Sequence, residues 1–251
     1  MKKIRADELL FQKGLVDSRS RAKTLIMMGK VYANGVKVEK AGDNIKIDSE
    51  IEIKEDIPYV SRGGLKLESA IKSFNIDVKN KIALDIGAST GGFTDCLIKF
   101  GAKKVYAVDV GYGLLDDKLR KDVRVINIER VNFRYIDNSL IPEKVDIITI
   151  DVSFISLTLI IPKALFFLKE NGEMICLIKP QFELSPKEIG RGGIVREEAY
   201  REKAVEKIID FSKTLNLNII GVIPSPILGQ KGNIEYLIYL KNKIKFQIST
   251  V

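Results

Sequence analysis

The sequence predicts an α/β fold, in which a doubly wound sheet closed by a C-terminal hairpin follows a small N-terminal α+β domain. Two observations predict it. After residue 62, short apolar runs alternate with stretches of helical spacing, as in strand–helix units. Before that point the chain is strongly basic, with ten Lys or Arg against four Asp or Glu in residues 1–40. We therefore place one domain at residues 1–58 and a second at 59–251, with a polar linker at 54–64.

The N-terminal domain is predicted to contain two short helices and a small sheet. Asp17 or Ser18 can cap the second helix, which stops at Gly29. Asn34-Gly35 supplies the positive φ angles of a type I′ turn and predicts a hairpin over Val31–Val38. The apolar positions that suggest the first helix are Ile4, Leu9, Leu10 and Leu15. The isoleucines that alternate with polar residues, as in half-buried strands, are Ile45, Ile47, Ile51 and Ile53.

Basic residues around the second helix could follow the phosphates of a nucleic acid, although a solvated helix face is the commoner explanation of such a cluster. The strings Arg5–Leu10, Ser20–Lys23 and Gly29–Gly35 resemble the alpha-L RNA-binding domain. This resemblance favours RNA binding over the solvated face. The candidate RNA-binding residues of the whole chain are Arg5, Arg19, Arg21, Lys23, Lys30, Arg62 and Arg191.

The amino-acid composition excludes several classes of function and indicates the kind of partner. The chain has no histidine, which removes histidine-based acid/base catalysis and most catalytic zinc sites. Its net charge of +8 favours an anionic partner. Cys96 and Cys176 lie inside apolar stretches, as core residues in a reducing compartment do. The most apolar stretch, Ile155–Leu168, is too short to cross a bilayer. We expect a cytoplasmic monomer with no metal and no membrane partner.

A strand, a glycine-rich turn and a helix open the second domain's sheet. The strand is Ile82–Ile86 and the turn is Gly87–Phe93. Glycines let the backbone approach a ligand, and the helix start offers free N–H groups. The next strand, Val105–Asp109, ends in an acid placed to bind ribose hydroxyls. Further strands are predicted at Val123–Ile128, Val145–Ile150, Glu173–Ile178, Ile219–Ile223 and Tyr236–Leu240.

The glycine turn bears on the choice of cofactor. A dinucleotide site prefers G-x-G-x-x-G, and here Ser89 stands in place of the middle glycine. Asp85-x-Gly87 instead resembles the first motif of class I methyltransferases. That resemblance implies a Rossmann-like class I methyltransferase sheet with S-adenosyl-L-methionine as its cofactor. A structural turn without a ligand and an NAD-linked enzyme are the alternatives.

The loop after the strand Val145–Ile150 bears on the atom that is modified. Amino-methylating enzymes tend to carry Asn/Asp-Pro-Pro-aromatic there, whereas this chain has Asp151–Phe154. Carbon methylation needs a cysteine nucleophile, and Cys176 lies inside a predicted strand. A ribose hydroxyl instead needs a base or a positive field as the methyl group arrives. Lys179 follows its strand at the sheet edge that also carries Asp151.

Four residues occur in the order of the Lys-Asp-Lys-Glu tetrad of FtsJ-like ribose 2′-O-methyltransferases, which they resemble: Lys66, Asp151, Lys179 and Glu235. Longer strings are similar to the TlyA (hemolysin A) family almost from end to end. They are Tyr59–Leu67, Asp85–Asp95, Asp151–Ser156, Lys179–Glu183 and Gly232–Tyr236. The resemblance implies 2′-O-methylation of a cytidine in ribosomal RNA. The short N-terminal extension favours the large subunit as substrate.

The same resemblance implies residue roles. Lys179 would be the base or the cation that activates the hydroxyl, and Asp151 would pair with it. Lys66 and Glu235 would complete the charge network and position the ribose. Asn132 would contact the adenine. The full set of cofactor-binding candidates is Asp85, Gly87, Ala88, Ser89, Gly91, Gly92, Phe93, Asp109 and Asn132.

Several alternatives stay open at this point. Each tetrad residue has an ordinary structural explanation when taken alone, such as helix capping by Asp151. Glu183 competes with Glu235 for the acidic role. The glycine-rich segment Ser185–Val195 is either a lid that contacts RNA or a flexible connection. An RNA-binding protein without catalysis and a hemolysin-like membrane activity are the alternative functions.

Overall fold

The computed structural model describes residues 3–53, 58–190 and 192–243. Residues 54–57 of the predicted linker and the predicted RNA contact Arg191 lie outside the described residues. The chain divides into two compact units, Met1–Arg62 and Gly63–Val251. Each unit contains its own cluster of buried apolar side chains.

The described residues of the first unit form two helices and two small sheets. In chain order its elements are β1 (Lys3–Arg5), α1 (Ala6–Gln12), α2 (Arg19–Met27), β2 (Val31–Ala33), β3 (Val36–Lys37), β4 (Asn44–Lys46) and β5 (Ile51–Ile53). Strand β1 pairs antiparallel with β4, and the second sheet has the order β3-β2-β5. The helices bury Leu10, Leu25 and Ile26 in the core of this unit.

Local sequence rules account for most of this unit. The hydroxyl of Ser18 accepts a hydrogen bond from the backbone N–H of Arg21 and caps α2. Asn34 and Gly35 both have positive φ, so the predicted two-residue hairpin is confirmed. The assignment of Ile4 to the first helix was wrong. Ile4 lies in β1 opposite Ile45. The spacing of neighbouring apolar residues cannot predict a strand partner so far along the chain.

The second unit alternates strands and helices. In chain order its elements are α3 (Gly63–Ser73), β6 (Ile82–Ile86), α4 (Gly92–Lys99), β7 (Lys104–Val108), α5 (Asp117–Arg120), β8 (Val125–Ile128), β9 (Val145–Ile150), α6 (Ile161–Phe167), β10 (Leu168–Ile178), α7 (Pro180–Glu183), α8 (Glu198–Thr214), β11 (Leu217–Pro224) and β12 (Tyr236–Asn242). Short 3-10 helices occur at Phe133–Tyr135, Asn138–Leu140, Leu157–Leu159 and Gln230–Gly232. Among the described residues, no helix has both the length and the apolar character needed to span a bilayer.

The strands of this unit form one sheet of seven, in the order β11-β12-β10-β9-β6-β7-β8. Strands β6 to β10 run parallel to one another, and the chain builds outward from β6 in both directions. Strand β12 is antiparallel to both of its neighbours, so the predicted C-terminal hairpin is confirmed with the doubly wound sheet. The change of direction between β6 and β9 is the switch point at which such sheets bind ligands.

Strand register determines which loops meet at that edge. Ile150, the last residue of β9, is opposite Ile86, the last residue of β6. Ile178, which ends β10, is opposite Tyr236, which begins the antiparallel β12. The start of β12 therefore shares an edge with the ends of the parallel strands.

Gly87 allows the ends of β6 and β9 to approach closely. Its φ is +84°, and a Cβ at this position would lie 2.5 Å from the backbone oxygen of Asp151. The backbone N–H of Asp151 in turn donates to the carbonyl of Ile86 at 3.0 Å. Only glycine fits this crossing without moving one of the two chains.

We expect Gly87→Ala to lower the Tm of the second unit far more than Gly113→Ala does. Gly113 also has a positive φ of +67° but has open space around the position of a Cβ. Left-handed backbone costs an alanine about 1–2 kcal/mol at either site, and only Gly87 adds a backbone clash. Calorimetric unfolding of the two variants measures the difference. Equal losses would contradict the assigned role of Gly87.

Candidate active site

The four residues of the predicted tetrad form two ion pairs. Lys66 Nζ lies 2.5 Å from Glu235 Oε2, and the two side chains are 10% and 2% exposed. Lys179 Nζ lies 2.6 Å from Asp151 Oδ1 and donates a hydrogen bond of 2.9 Å to Ser153 Oγ. Three of the four residues border strand ends at one edge of the sheet, and Lys66 reaches that edge from α3.

The two candidate glutamates have different partners. Glu235 is the partner of Lys66, whereas Glu183 pairs with Lys207 of α8. The position of Glu235 is crowded, because a Cβ at Gly229 would overlap its carboxylate. Glycine at position 229 therefore makes room for the acid.

Charge burial makes each partner depend on the other. Oδ1 of Asp151 is buried and accepts no hydrogen bond of normal geometry from the described residues, so the contact with Lys179 is an ion pair by distance. Removing one member of a buried pair leaves the other charge uncompensated, at a cost of about 3–5 kcal/mol. The four side chains thus form two pairs, in each of which one partner depends on the other.

A cavity of about 440 Å³ lies beside the Asp151–Lys179 pair, which is within the size range of small-molecule sites. Its walls come from the ends of β6 and β7 and from the segments that follow β6, β7, β8 and β9. Apolar side chains such as Val131, Phe133 and Ile160 dominate the lining. The polar residues that line it are Ser89, Asp109, Asn132, Asp151 and Ser153.

Asp109 is held in place by backbone donors. Its Oδ2 accepts from the N–H of Ser89 at 2.8 Å, and its Oδ1 accepts from the N–H of Gly111 at 2.7 Å. A carboxylate oxygen has two lone pairs, so each retains capacity for a ligand hydroxyl. Asn132 uses its side-chain oxygen to cap the following 3-10 helix and is exposed at the cavity wall.

The glycine turn divides into residues that line the cavity and residues that support it. Gly87 and Ser89 line the cavity. Five other predicted cofactor residues are not among the lining residues: Asp85, Ala88, Gly91, Gly92 and Phe93. Asp85 is fully buried and accepts hydrogen bonds from Thr94 at 2.6 Å and Thr149 at 2.9 Å. A role of these five in binding stays a prediction.

Phe154 lies next to the tetrad, and no role for it was predicted from the sequence. Its side chain is 83% exposed, its φ is +64°, and its ring lies 5.1 Å from that of Phe182. A bulky residue in left-handed backbone costs about 1–3 kcal/mol and marks functional sites. The aromatic residue after Asp151-Val152-Ser153 was the sequence feature that could have indicated it. Ser153, the hydrogen-bond partner of Lys179, was missed in the same string.

The glycine-rich segment 185–195 is anchored next to Glu235. Asn233, which is 2% exposed, accepts from the N–H of Val195 at 3.0 Å and donates to the carbonyl of Gly193 at 2.9 Å. Lys231 also donates to the carbonyl of Gly192. The segment thus has fixed attachment points, and Asn233 is a buried polar residue whose role the sequence did not reveal.

Cys176 does not contribute a nucleophile. It is fully buried within β10, and burial, with a smaller effect of the nearby Glu183 carboxylate, raises the pKa of its thiol far above the ordinary value. A thiol that stays protonated is a poor nucleophile.

The predicted RNA-binding residues of the first unit have different surroundings. The guanidiniums of Arg5 and Arg19 lie 2.9 and 3.1 Å from the buried carboxylate of Asp7, and the hydrogen bond from Arg5 lowers the pKa of Asp7. Arg21 contacts the backbone carbonyl of Tyr59. Lys23 is exposed, whereas Lys30 and Arg62 are half-buried.

A doubly wound sheet, a cavity at its switch point and a paired Lys-Asp-Lys-Glu set together define a methyltransferase, and the chain belongs to the FtsJ-like methyltransferase family. The model of that family matches residues 59–242. The model of the S4 domain matches residues 4–51. The family membership inferred from the sequence strings is thereby confirmed.

Individual relatives cover most of the chain. It is 48% identical to hemolysin A of Brachyspira hyodysenteriae, over 93% of this chain and 98% of that protein. It is 36% identical to the 16S/23S rRNA (cytidine-2′-O)-methyltransferase TlyA of Mycobacterium tuberculosis, over 96% and 91%. It is 37% identical to the 23S rRNA (cytidine-2′-O)-methyltransferase TlyA of Campylobacter jejuni, over 80% and 76%. A solved Streptococcus thermophilus structure, described as a candidate hemolysin, has a TM-score of 0.77 at 44% identity, over 97% and 90%.

Asp85 gives the unit a characteristic pH dependence. Burial raises the pKa of Asp85 to about 7, although two threonine hydroxyls and a backbone N–H act in the opposite direction. An unfolded aspartate titrates near about 3.9, so the native state keeps this proton to higher pH. The resulting stabilisation is complete below about pH 4 and is lost as the pH rises to about 7.

We therefore expect the free energy of unfolding of Asp85→Asn, relative to that of the unsubstituted protein, to be higher at about pH 7.5 than at about pH 4.5. Urea unfolding at both pH values measures this gain. Asp122→Asn is the control, because the hydrogen bond from Arg124 lowers the pKa of Asp122 and predicts no such gain. If the Asp85→Asn difference is the same at both pH values, the assigned protonation of Asp85 is wrong.

Proposed function

We propose that this protein transfers a methyl group from S-adenosyl-L-methionine to the 2′-hydroxyl of a cytidine in ribosomal RNA. The observation that carries the proposal is the Asp151–Lys179 pair at the wall of the cavity, with the Lys66–Glu235 pair at the same sheet edge. The names of the TlyA relatives from Mycobacterium tuberculosis and Campylobacter jejuni state the same reaction for those proteins.

The cavity fits the cofactor. Asp109 would accept the ribose hydroxyls, because its carboxylate is already oriented by two backbone N–H groups. Asn132 would contact the adenine, and the turn at Gly87 and Ser89 would hold the methionine portion. The turn would be shaped by Ala88, Gly91, Gly92 and Phe93. Asp85 would support it through its hydrogen bonds with Thr94 and Thr149.

The chemistry centres on Lys179. S-adenosylmethionine, when bound, supplies an electrophilic methyl group. The ammonium of Lys179 has three donors. One of them bonds to Ser153 Oγ, and Asp151 is the counter-ion at 2.6 Å. A remaining donor would stabilise the negative charge that develops on the ribose oxygen, and the hydroxyl proton would pass to the carboxylate of Asp151 at the cavity wall. Asp151 fixes the direction of this donor, so that no reorganisation is needed during the transfer.

Lys66 and Glu235 position the ribose. Both are nearly buried, and their ion pair is held by strand register on one side and by α3 on the other. A preformed donor and acceptor suit the 2′-hydroxyl of a ribose, which can both donate and accept a hydrogen bond and which deoxyribose lacks. The pair therefore favours RNA over DNA as the substrate.

The first unit would supply RNA affinity. Arg5 and Arg19 are oriented by a shared buried aspartate, which leaves half of each side chain exposed for phosphate contact. This basic surface would be extended by Arg21, Lys23, Lys30 and Arg62, and Arg191 is a further candidate for RNA contact. We propose that the target lies in the large ribosomal subunit, since the name of the Campylobacter jejuni relative specifies 23S rRNA for that protein. We also propose that the protein acts in the cytoplasm.

Phe154 would stack on the base of the target nucleotide. Its exposed ring stands three residues after Asp151, so a base resting on it would bring its own ribose near Lys179. Base–aromatic stacking is worth about 1–3 kcal/mol in single-stranded RNA recognition. The strained backbone at Phe154 is consistent with a residue held for contact with substrate.

We expect Lys179→Ala to reduce methyl transfer to ribosomal subunits by at least about 100-fold, because the developing charge loses its donor. The measurement is incorporation of labelled methyl groups into unmodified subunits, with the product mapped by its resistance to alkaline cleavage. Lys213→Ala is the matched control, since Lys213 is exposed at the end of α8. Activity that survives in Lys179→Ala, or methylation of a base, would contradict the proposal.

We expect Phe154→Ala to weaken RNA use by about 10- to 100-fold in kcat/KM, as the loss of one stacked base predicts. Phe154→Tyr keeps an aromatic face and should retain most of the activity. The kinetic assay is run with RNA as the varied substrate, and calorimetry gives the affinity for S-adenosylmethionine. An equal loss in the Ala and Tyr variants would exclude stacking.

A further inference from the structure

We propose that Glu183 is a positioning residue that clamps the loop carrying Asp151 to the segment carrying Lys179. This inference rests on the proposed function, because it concerns how the Asp151–Lys179 pair is kept in reacting geometry. Glu183 is not part of that pair, and it acts through the backbone and side chains of the loop.

The carboxylate of Glu183 joins two loops. Its Oε2 accepts from Ser156 Oγ at 2.5 Å, and its Oε1 accepts from the backbone N–H of Leu157 at 2.8 Å. Both donors lie at the far end of the loop that starts with Asp151. Glu183 itself ends α7, the short helix that begins directly after Lys179.

Glu183 holds the far end of the loop, whereas the sheet holds the end at Asp151. Asp151 is fixed by the hydrogen bond from its N–H to Ile86 at the end of β6. Ser153 and Phe154, which follow, contact Lys179 and Phe182 across the gap between the two segments. Glu183 closes the far side of this gap, so the loop is held at both ends.

The environment of Glu183 argues against an incidental contact. Its side chain is 1% exposed, and its counter-ion is Lys207, whose Nζ lies 3.2 Å from Oε2 and also donates to the carbonyl of Glu183 at 2.5 Å. A buried ion pair adds little stability compared with apolar packing of the same volume. What the carboxylate provides is two directed hydrogen bonds to one loop, which an apolar side chain cannot make.

The same face of α8 offers a matched control. Glu188 pairs with Lys203 at 2.5 Å, one helical turn from Lys207. Its carboxylate also accepts from the N–H and the hydroxyl of Ser185, and none of its hydrogen bonds in the described residues reaches the loop after β9. Glu188→Ala therefore removes a similar ion pair without releasing the loop.

The experiment compares Glu183→Ala, Glu183→Gln, Ser156→Ala and Glu188→Ala in the full-length protein. We expect kcat, at saturating S-adenosylmethionine and RNA, to fall about 10- to 100-fold in Glu183→Ala, the effect of a displacement of about 1 Å at a reacting group. Glu183→Gln keeps one acceptor for Leu157 and should recover part of this loss. Glu188→Ala should keep the original kcat.

A double variant separates positioning from general destabilisation. Ser156→Ala should lower kcat in the same direction as Glu183→Ala, and the double variant should be no worse than Glu183→Ala alone, because both remove one connection. Additive losses would overturn the proposal, as would an unchanged kcat in Glu183→Ala or an equal loss in Glu188→Ala. Should Glu183→Ala not fold, an unchanged kcat in Ser156→Ala overturns it equally.

Hydrogen exchange gives a test that does not depend on activity. Glu183→Ala or Glu183→Gln should increase amide exchange in residues 151–157, above all at Leu157, whose N–H the carboxylate accepts. Glu188→Ala should not. Unchanged exchange in the Glu183 variants overturns the clamp even if the enzyme is active. Absence of methyl transfer in the unsubstituted protein would instead reject the proposed function, and the exchange data would still decide on the clamp.

Discussion

The catalytic unit is organised around two lysine–carboxylate pairs at one edge of its sheet. The Lys66–Glu235 pair is buried, and the Lys179–Asp151 pair is partly buried. Neither Lys66 nor Glu235 could occupy its buried position without the other, because an isolated charge there would cost several kcal/mol. Their contact requires β12 to start where β10 ends. The contact of Lys179 with Asp151 requires the register that places Ile150, the last residue of β9, opposite Cys176 near the end of β10. The strand registers and the ion pairs therefore specify each other.

Directed hydrogen bonds hold the polar residues around these pairs in place. Backbone N–H groups orient Asp109, threonine hydroxyls hold Asp85, and the amide of Asn233 fastens the glycine-rich segment. Each is a fixed donor or acceptor that is in place before any ligand arrives. Such preorganisation is the main source of rate enhancement in reactions that develop charge, because the protein needs no rearrangement in the transition state.

The same principle operates in the first unit on a smaller scale. Asp7 is buried and gathers the guanidiniums of Arg5 and Arg19, so one acid orients two cations that stay half exposed. The sequence showed these arginines as members of a basic cluster, without their common partner. In both units, a buried carboxylate thus determines where a positive charge is presented.

The sequence by itself determined the order and type of most elements, the hairpin at Asn34-Gly35 and the family, because spacing and turn residues act locally. It also indicated the tetrad, through resemblance. Only the tertiary structure decided that Lys66 pairs with Glu235 and that Glu183 pairs with Lys207, that Ile4 is a strand residue, and that Phe154 is exposed. The physical reason is that these outcomes depend on partners far along the chain. Lys66 and Glu235 are 169 residues apart, and only the packing of the sheet brings them into contact.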